Sequence, residues 1–545
     1  MGKKRTPKQK PKETRQFRIS PALSYGLLVA ILLFIGLVRV RLLGFPLERD
    51  EGEYAYAGQL ILHGIAPYQL CYTMKLPGTA ASYALIEAIF GHSAVSVHLG
   101  LLLVNSATIV LVFLLGKRLF GVLGAIVASA TYGLLSLEPS VLGFAGHATQ
   151  FVVLPAVGGI LVLLQAEESQ KLAAFFWSGL LLGFALLMKQ PGIFFVFFGM
   201  FWVVWSARKR RVSWRNWALQ LATLFSGAML PWLGTCLLLF VMGVFPNFWF
   251  WTFTYARQYG TERSLAEGIH DLWITGVPVL SQAPLIWCIA AVGVLAMLYD
   301  PKTRPYFAFT VSVLALSFGA MCPGLYFRNH YFVLVLPAVS LLCAAAVVAA
   351  SNVLHEFHYT QTWQTLPMVV FAGCFVFSVL QQRDFFFDED PLTLCRTVYS
   401  TNPFAEAIQI SDYIKEHSVS SDRIAVIGSE PEIYFYSDRL SATGYIYMYP
   451  LMETQPFAST MQKEMISEVE KARPRFVVFV DTQLSWLRRQ ESDMTILEWS
   501  DRYLRNEYRL VGLADMLQEG TQYRWDGAAT YAPRSPYRVY LFDRK

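Results

Sequence analysis

The stretch LSYGLLVAILLFIGLVRVRLLGFPLERDEGEY, residues 23–54, decides the fold. Leu23 to Leu42 is an apolar run of the length needed to cross ~30 Å of hydrocarbon. An acidic pair, Asp50-Glu51, follows it. Carboxylates are costly in hydrocarbon, so this pair belongs in a loop or a wet cavity beside the bilayer. The next residues, Glu53-Tyr54 through Pro67-Tyr68 to Lys75-Leu76-Pro77-Gly78, are too polar and too broken for a second span. They read as a long folded loop hugging the membrane. A carboxylate there, with Lys75 downstream, suits a site that handles a lipid phosphate.

The rest of the chain agrees. Of 545 residues, 54% are apolar, 15% aromatic and 15% charged. A soluble globular chain averages about a quarter charged. The apolar residues fall in runs of about 20, which specifies a multi-pass α-helical membrane protein. The first run follows a basic tail, as in a signal peptide. It is too long for a signal h-region and lacks a small-residue cleavage pattern, so it reads as a retained span.

The tail, residues 1–22, holds Lys3, Lys4, Arg5, Lys8, Lys10, Lys12, Arg15 and Arg18 against the single acid Glu13. Such a cluster binds RNA or anionic lipid, or marks the cytoplasmic side; the last reading is preferred, with no nucleic acid as partner. Seven cysteines include no CxxC pair. Cys236, Cys288, Cys343 and Cys374 lie in apolar runs and read as core filler. Cys71 and Cys395 fall on one side, where a disulfide is open to them, but spacing cannot show it.

Eleven spans are expected: 23–42, 96–116, 120–138, 148–165, 172–188, 191–207, 216–244, 275–298, 305–323, 331–350 and 364–382. With the N-terminus cytoplasmic, inside loops carry Lys117-Arg118, Lys171, Arg208-Lys209-Arg210-Arg211 and Lys302 with Arg304. That is a positive-inside pattern in a plasma (inner) membrane. Arg39 and Arg41, at the outer end of the first span, run against it. Lys189-Gln190-Pro191-Gly192 joins two spans too closely for an ordinary loop. It is a tight hairpin or a kinked single span, and the second choice would move the C-terminus across the membrane.

The alternation has a chemical consequence. Asp50, Glu51, Lys75, His147, Lys189, Arg257, Arg328, His330 and Tyr331 all land on the outer side, each at the lip of a span. Singly, a lip cation is usually snorkelling to headgroups and a lone histidine is usually structural. Together they read as one outward-facing cavity. Domains are expected at 23–383, with a first outer loop at 43–95, and at 384–545. The second is extracytoplasmic and α/β, with strands at 423–428, 475–480, 508–513 and 537–542 and a helix near 458–471. Gly428-Ser429-Glu430-Pro431 lacks the glycine spacing and lysine of a P-loop. No internal repeat is evident.

With these motifs in hand, the chain resembles the polytopic, lipid-linked-sugar glycosyltransferases of the C superfamily. It is most similar to bacterial relatives of protein O-mannosyltransferases and to the aminoarabinose transferases that modify lipid A. The carrying residues are Arg49-Asp50-Glu51-Gly52-Glu53-Tyr54, Gly64-Ile65-Ala66-Pro67-Tyr68, Lys75-Leu76-Pro77-Gly78 and Arg328-Asn329-His330-Tyr331-Phe332. The resemblance covers roughly residues 20–380. It implies a polyprenyl-phosphate sugar donor and an essential acid at Asp50. It also implies that Lys75 contacts the lipid phosphate. Aminoarabinose transferases carry an acid just before that lysine, where this chain has Met74, so a divalent cation stays open and no metal ligand is assigned.

The residues support the same chemistry directly. Asp50 is the candidate general base for the acceptor, which is a protein, lipid or glycan. Lys75, Arg257, Arg328 and His330 are candidates to neutralise a departing phosphate. If residues 50–57 are helical, Asp50, Glu53 and Tyr54 share a face and Glu51 points elsewhere. Glu51 is then placed to orient Lys75 or a cation. Tyr68, His147, Lys189 and Tyr331 complete the pocket candidates. No second nucleophile is visible, so the family analogy implies inversion at the sugar. A transporter or flippase of lipid-linked glycans is the alternative. Transporters usually show repeated halves and polar breaks near the midplane, and neither is evident.

Overall fold

The computed structural model describes residues 19–525 and 527–545. Most of the basic tail therefore lies outside the described residues. Helix α1 (Pro21–Arg41) opens the bundle, its first turn capped by Ser20 and its N1 position filled by proline. Two short helices of the first loop follow, α2 (Arg49–Leu62) and α3 (Pro77–Phe90). The bundle resumes with α4 (Ala94–Leu135), α5 (Ala148–Ser169), α6 (Leu172–Met188), α7 (Ile193–Lys209) and α8 (Trp214–Val241). It ends with α9 (Leu265–Gln282), α10 (Pro284–Tyr299), α11 (Phe307–Met321), α12 (Leu336–Glu356) and α13 (Leu366–Gln381).

Helices occupy each of the eleven expected runs, but not as eleven straight spans. Among the described residues, seven helices are long and apolar enough to cross a membrane. The 42-residue α4 breaks at Gly121, whose φ of 76° only glycine adopts easily. Its two arms fold back on each other, so that a Cβ on Gly116 would lie 2.9 Å from the Gly124 carbonyl oxygen. The run expected at 275–298 is corrected. Helices α9 and α10 meet there at a bend of 101°, at the Ala283-Pro284 step. Proline lacks the donor that would continue the first helix. The 189–192 segment is a hairpin: Gly192 packs on Ala185, and Gly199 on Leu182.

The turns separate into two ends. At one end Lys117 donates to Tyr25, Arg118 pairs with Glu168 at 2.7 Å, and Arg210 pairs with Glu167 at 3.0 Å. The other end carries the first loop. Arg39 and Arg41 are explained there. Arg39 is buried and donates to Asn105 Oδ1 and the Ser136 carbonyl, while Arg41 binds the Phe385 and Glu389 carbonyls. Both are spent inside the protein and carry no weight as topology signals.

After α13 the chain forms a mixed six-stranded sheet in the order β2-β1-β3-β6-β4-β5. Its strands are β1 (Arg423–Ile427), β2 (Leu440–Ser441), β3 (Phe476–Asp481), β4 (Tyr508–Leu517), β5 (Gly520–Trp525) and β6 (Arg538–Arg544). β1 pairs in parallel with β2 and β3; the remaining pairs are antiparallel. β5, which pairs with β4 in a hairpin, and the two-residue β2 are additions to the four expected strands. Cys71 and Cys395 are both buried free thiols, so the disulfide left open in the sequence does not form.

The sheet domain is bolted to the first loop. Tyr436 Oη accepts from Leu47 N, Tyr56 Oη accepts from Ser441 N, and Tyr72 N donates to the Gly444 carbonyl. At Gly52 the fit leaves no room for a side chain: a Cβ would sit 2.5 Å from the backbone nitrogen of Glu432. Gly52→Ala is expected to destabilise this contact by about 1–3 kcal/mol, as overpacking does. Limited proteolysis and a thermal melt of the purified chain check this. Wild-type resistance and melting would remove the tight docking.

Candidate active site

The site is built on the first turn of α2. Glu48 caps the helix by accepting from Glu51 N at 2.9 Å, and Glu51 Oε2 accepts from Glu48 N in return. This capping box satisfies two amides that the helix leaves open, and acids favour the positive end of a helix. The turn fixes the side-chain directions. Asp50, Glu53 and Tyr54 project together, and Glu51 projects elsewhere.

Lys75 meets the first group. Its Nζ lies 2.7 Å from Asp50 Oδ1 and 2.5 Å from Glu53 Oε2, with the Tyr54 ring centroid at 4.4 Å. The backbone of Lys75 is held too. Tyr68 Oη donates to its carbonyl at 2.9 Å, and its amide donates to Thr73 Oγ1. Gln190 donates to the neighbouring Met74 carbonyl at 2.6 Å, which links this loop to the 189–192 hairpin. Burial opposes an ionised Asp50, but Lys75 and then His147 outweigh it, holding the carboxyl well below its usual range. For Lys75, burial is likewise overcome by Asp50 and Glu53, and its ammonium is held well above the ordinary value. Glu48 differs: burial pushes it up to about 7, with His147 opposing.

Glu51 is fully buried and faces away from Lys75. Its Oε1 accepts from Gly146 N at 2.6 Å and lies 3.1 Å from His98 Nε2. Tyr83 Oη donates to the Gly146 carbonyl at 2.7 Å. The expectation that Glu51 orients Lys75 or a cation is therefore corrected. It grips the peptide that presents His147.

His147 and His330 stack with centroids 4.1 Å apart and planes 10° from parallel. His147 Nδ1 is 3.5 Å from Asp50 Oδ2 and 3.6 Å from Glu48 Oε1. His330 Nε2 is 3.2 Å from Lys189 Nζ, and that ammonium lies 4.3 Å from the Tyr331 ring centroid. Arg328 is exposed beside them and donates to Tyr259 Oη at 3.2 Å. Arg257 is not drawn in. It is exposed, and no hydrogen bond or ion pair among the described residues ties its side chain to Asp50 or Lys75.

Asp50, His147 and His330 place one ligand atom each within 4.8 Å of one another. Both ring nitrogens of His147 are buried without a good hydrogen-bond partner. One carboxylate and two imidazoles make a donor set that suits Zn²⁺ or a similar cation. An apolar cleft opens beside Lys75, walled by Tyr54, Leu60, Ile61, Pro67, Tyr68 and Leu76.

Other contributors come from the sheet domain, where the sequence gives no sign of a role at this site. Tyr447, from the sheet domain, donates to Asp50 Oδ1 at 3.1 Å. Arg49 pairs with Glu430 at 2.9 Å between the Phe404 and Tyr449 rings. A serine-acid loop and two tyrosines in a soluble domain look like any surface turn. Only the fold shows that they lie against the acid of the first loop.

Comparison with known proteins agrees with this architecture. No curated protein matches the sequence. Residues 75–234 match the family model described as dolichyl-phosphate-mannose-protein mannosyltransferase. Among solved structures, ArnT from Cupriavidus metallidurans, bound to undecaprenyl phosphate, superposes with a TM-score of 0.58 at 17% identity. The match covers 96% of this chain and 98% of that one. The oligosaccharyltransferase AglB from Archaeoglobus fulgidus, in complex with an inhibitory peptide and a dolichol-phosphate, gives 0.56 at 13% identity. That match covers 94% of this chain and 75% of AglB. An oligosaccharyltransferase from Archaeoglobus fulgidus in complex with Zn and sulfate gives 0.55 at 15%, over 92% and 73%. The chain thus shares, nearly end to end, the fold of ArnT and AglB.

Proposed function

We propose that this protein is a membrane glycosyltransferase. It moves a sugar from a polyprenyl-phosphate carrier to a protein, lipid or glycan acceptor at the extracytoplasmic face. The observation that carries the reading is the pairing of Asp50 with Lys75, which itself lines a small apolar cleft. A lipid phosphate needs a cation for its head and an apolar wall for its tail, and this corner offers both. The ligands of ArnT and AglB, undecaprenyl phosphate and dolichol-phosphate, are of that class. The basic turns lie at the opposite end of the bundle, as the positive-inside rule requires for an outward-facing site.

The step is a single displacement. The acceptor O–H or N–H gives its proton to Asp50 as its heteroatom bonds to the anomeric carbon. The bond from that carbon to the phosphate oxygen breaks, and its electron pair leaves with the polyprenyl phosphate. Lys75 and Arg328 balance the growing charge, with Lys189, which burial pushes down to about 7, and the neutral His330 imidazole behind them as hydrogen-bonding groups. One displacement inverts the configuration. A divalent cation held by Asp50, His147 and His330 would add electrostatic stabilisation of the leaving phosphate.

Three outcomes are expected. Asp50→Asn should express normally and lose transfer by about 10²–10⁴-fold. Mass spectrometry of envelope glycans and glycolipids, in cells lacking the protein and complemented with each form, reads this. Full restoration by Asp50→Asn would end the base assignment. Lys75→Met should weaken binding of undecaprenyl phosphate about 10–100-fold, the worth of a charged hydrogen bond. Isothermal titration in detergent measures it, and an unchanged Kd removes Lys75 from the phosphate site. Purified protein dialysed against zinc should retain it, and His147→Ala should not. Equal zinc content in the two by plasma mass spectrometry rejects the cation site.

A further inference from the structure

We propose that Tyr447 is a positioning residue for the transfer reaction. Its hydroxyl, carried by the sheet domain, keeps the Asp50 carboxylate in place when Lys75 turns from it to the donor phosphate. The inference rests on the reading of Asp50 as the proton acceptor.

Lys75 has one N–H to spare for a donor phosphate. A lysine ammonium has three N–H groups. Lys75 commits two of them, one to Asp50 Oδ1 and one to Glu53 Oε2. The side chain of Glu53 is 4% exposed and that of Asp50 25%. An arriving phosphate takes the third N–H, and as it draws the ammonium outward it loosens first the more accessible contact, the one to Asp50. A carboxylate released by its cation swings, and a general base must stay within hydrogen-bond reach of the proton it takes.

Tyr447 supplies the second hold. Its hydroxyl donates to the same oxygen that Lys75 contacts, at 3.1 Å. Oδ2 is left toward His147, on the side away from the two donors. The tyrosine is itself fixed. Met448 N donates to Ser429 Oγ, Tyr449 Oη donates to the Leu484 carbonyl, and Ile446 is fully buried. The Tyr447 ring centroid lies 5.6 Å from Lys75 Nζ, so the aromatic face also attends the cation that moves. A phenol has one donor, and nothing in the described structure competes for it.

The test uses the full chain in lipid nanodiscs, with undecaprenyl phosphate as binding probe. The donor is the glycolipid that accumulates in cells lacking the protein. Tyr447→Phe should lower turnover about tenfold, the kinetic equivalent of one lost hydrogen bond. Donor KM and the Kd for undecaprenyl phosphate should stay within about twofold of wild type. Tyr72→Phe removes another hydroxyl from the same interface, one that donates to Glu468, and should keep turnover. Three results overturn the proposal: a wild-type rate in Tyr447→Phe, an equal loss in Tyr72→Phe, or a loss of probe affinity that matches the loss of rate. Asp50→Asn is run alongside. Activity in that variant removes the base assignment itself, independently of what Tyr447 shows.

Discussion

One lysine between two carboxylates sets the terms for the whole molecule. Taking Lys75, Asp50 and Glu53 out of bulk water is costly, and only close geometry with further hydrogen bonds offsets that cost. Both conditions are met: contacts of 2.5–2.7 Å, an aromatic face at Tyr54, and a backbone held by Tyr68 and Thr73. Removing the shared lysine of such a group typically costs about 3–5 kcal/mol, because buried carboxylates lose their cation, whereas loss of Asp50 leaves Lys75 paired with Glu53. The first loop folds so that this does not happen. Its helix start, its return at Pro67-Tyr68 and its contact with the 189–192 hairpin all serve to bring residue 75 back to residue 50.

The acids around this group divide by what they touch. Asp50 faces cations and stays ionised. Glu51, one residue on, is turned by the helix into a buried pocket, where it holds Gly146 and so aims His147. Glu48 faces mainly protein interior and is pushed up by burial. Neighbouring carboxylates thus take three roles from three environments, an arrangement common where a protein tunes proton affinities.

The membrane architecture was largely legible in the sequence, because hydrocarbon thickness imposes a length on each apolar run. Asp50, Lys75, His147, Lys189, Arg328 and His330 were legible too, since charge at a span lip stands out against an apolar background. The misses have physical causes. The bend between α9 and α10 joins two helices of similar hydropathy, so composition does not change where direction does. Arg257 is a lip arginine like Arg328 in the sequence, but it sits exposed on a short helix, Ala256–Gly260, whereas Arg328 directly precedes the turn that carries His330. Arg39 and Arg41 look like topology signals but are held by carbonyls and by Asn105. Within the sheet domain, β2 has two residues and no periodicity to read. Tyr447 was invisible because its meaning depends on docking between segments almost 400 positions apart.

That docking has a temporal corollary. The membrane helices and the first loop are translated long before residues 430 and 447. Until the last third of the polypeptide has folded around its sheet, Arg49 lacks Glu430 and Asp50 lacks one of its donors. A newly made bundle thus lacks these two partners by the order of its own synthesis. It acquires its full constellation only when the final strand, Arg538–Arg544, closes between β3 and β4.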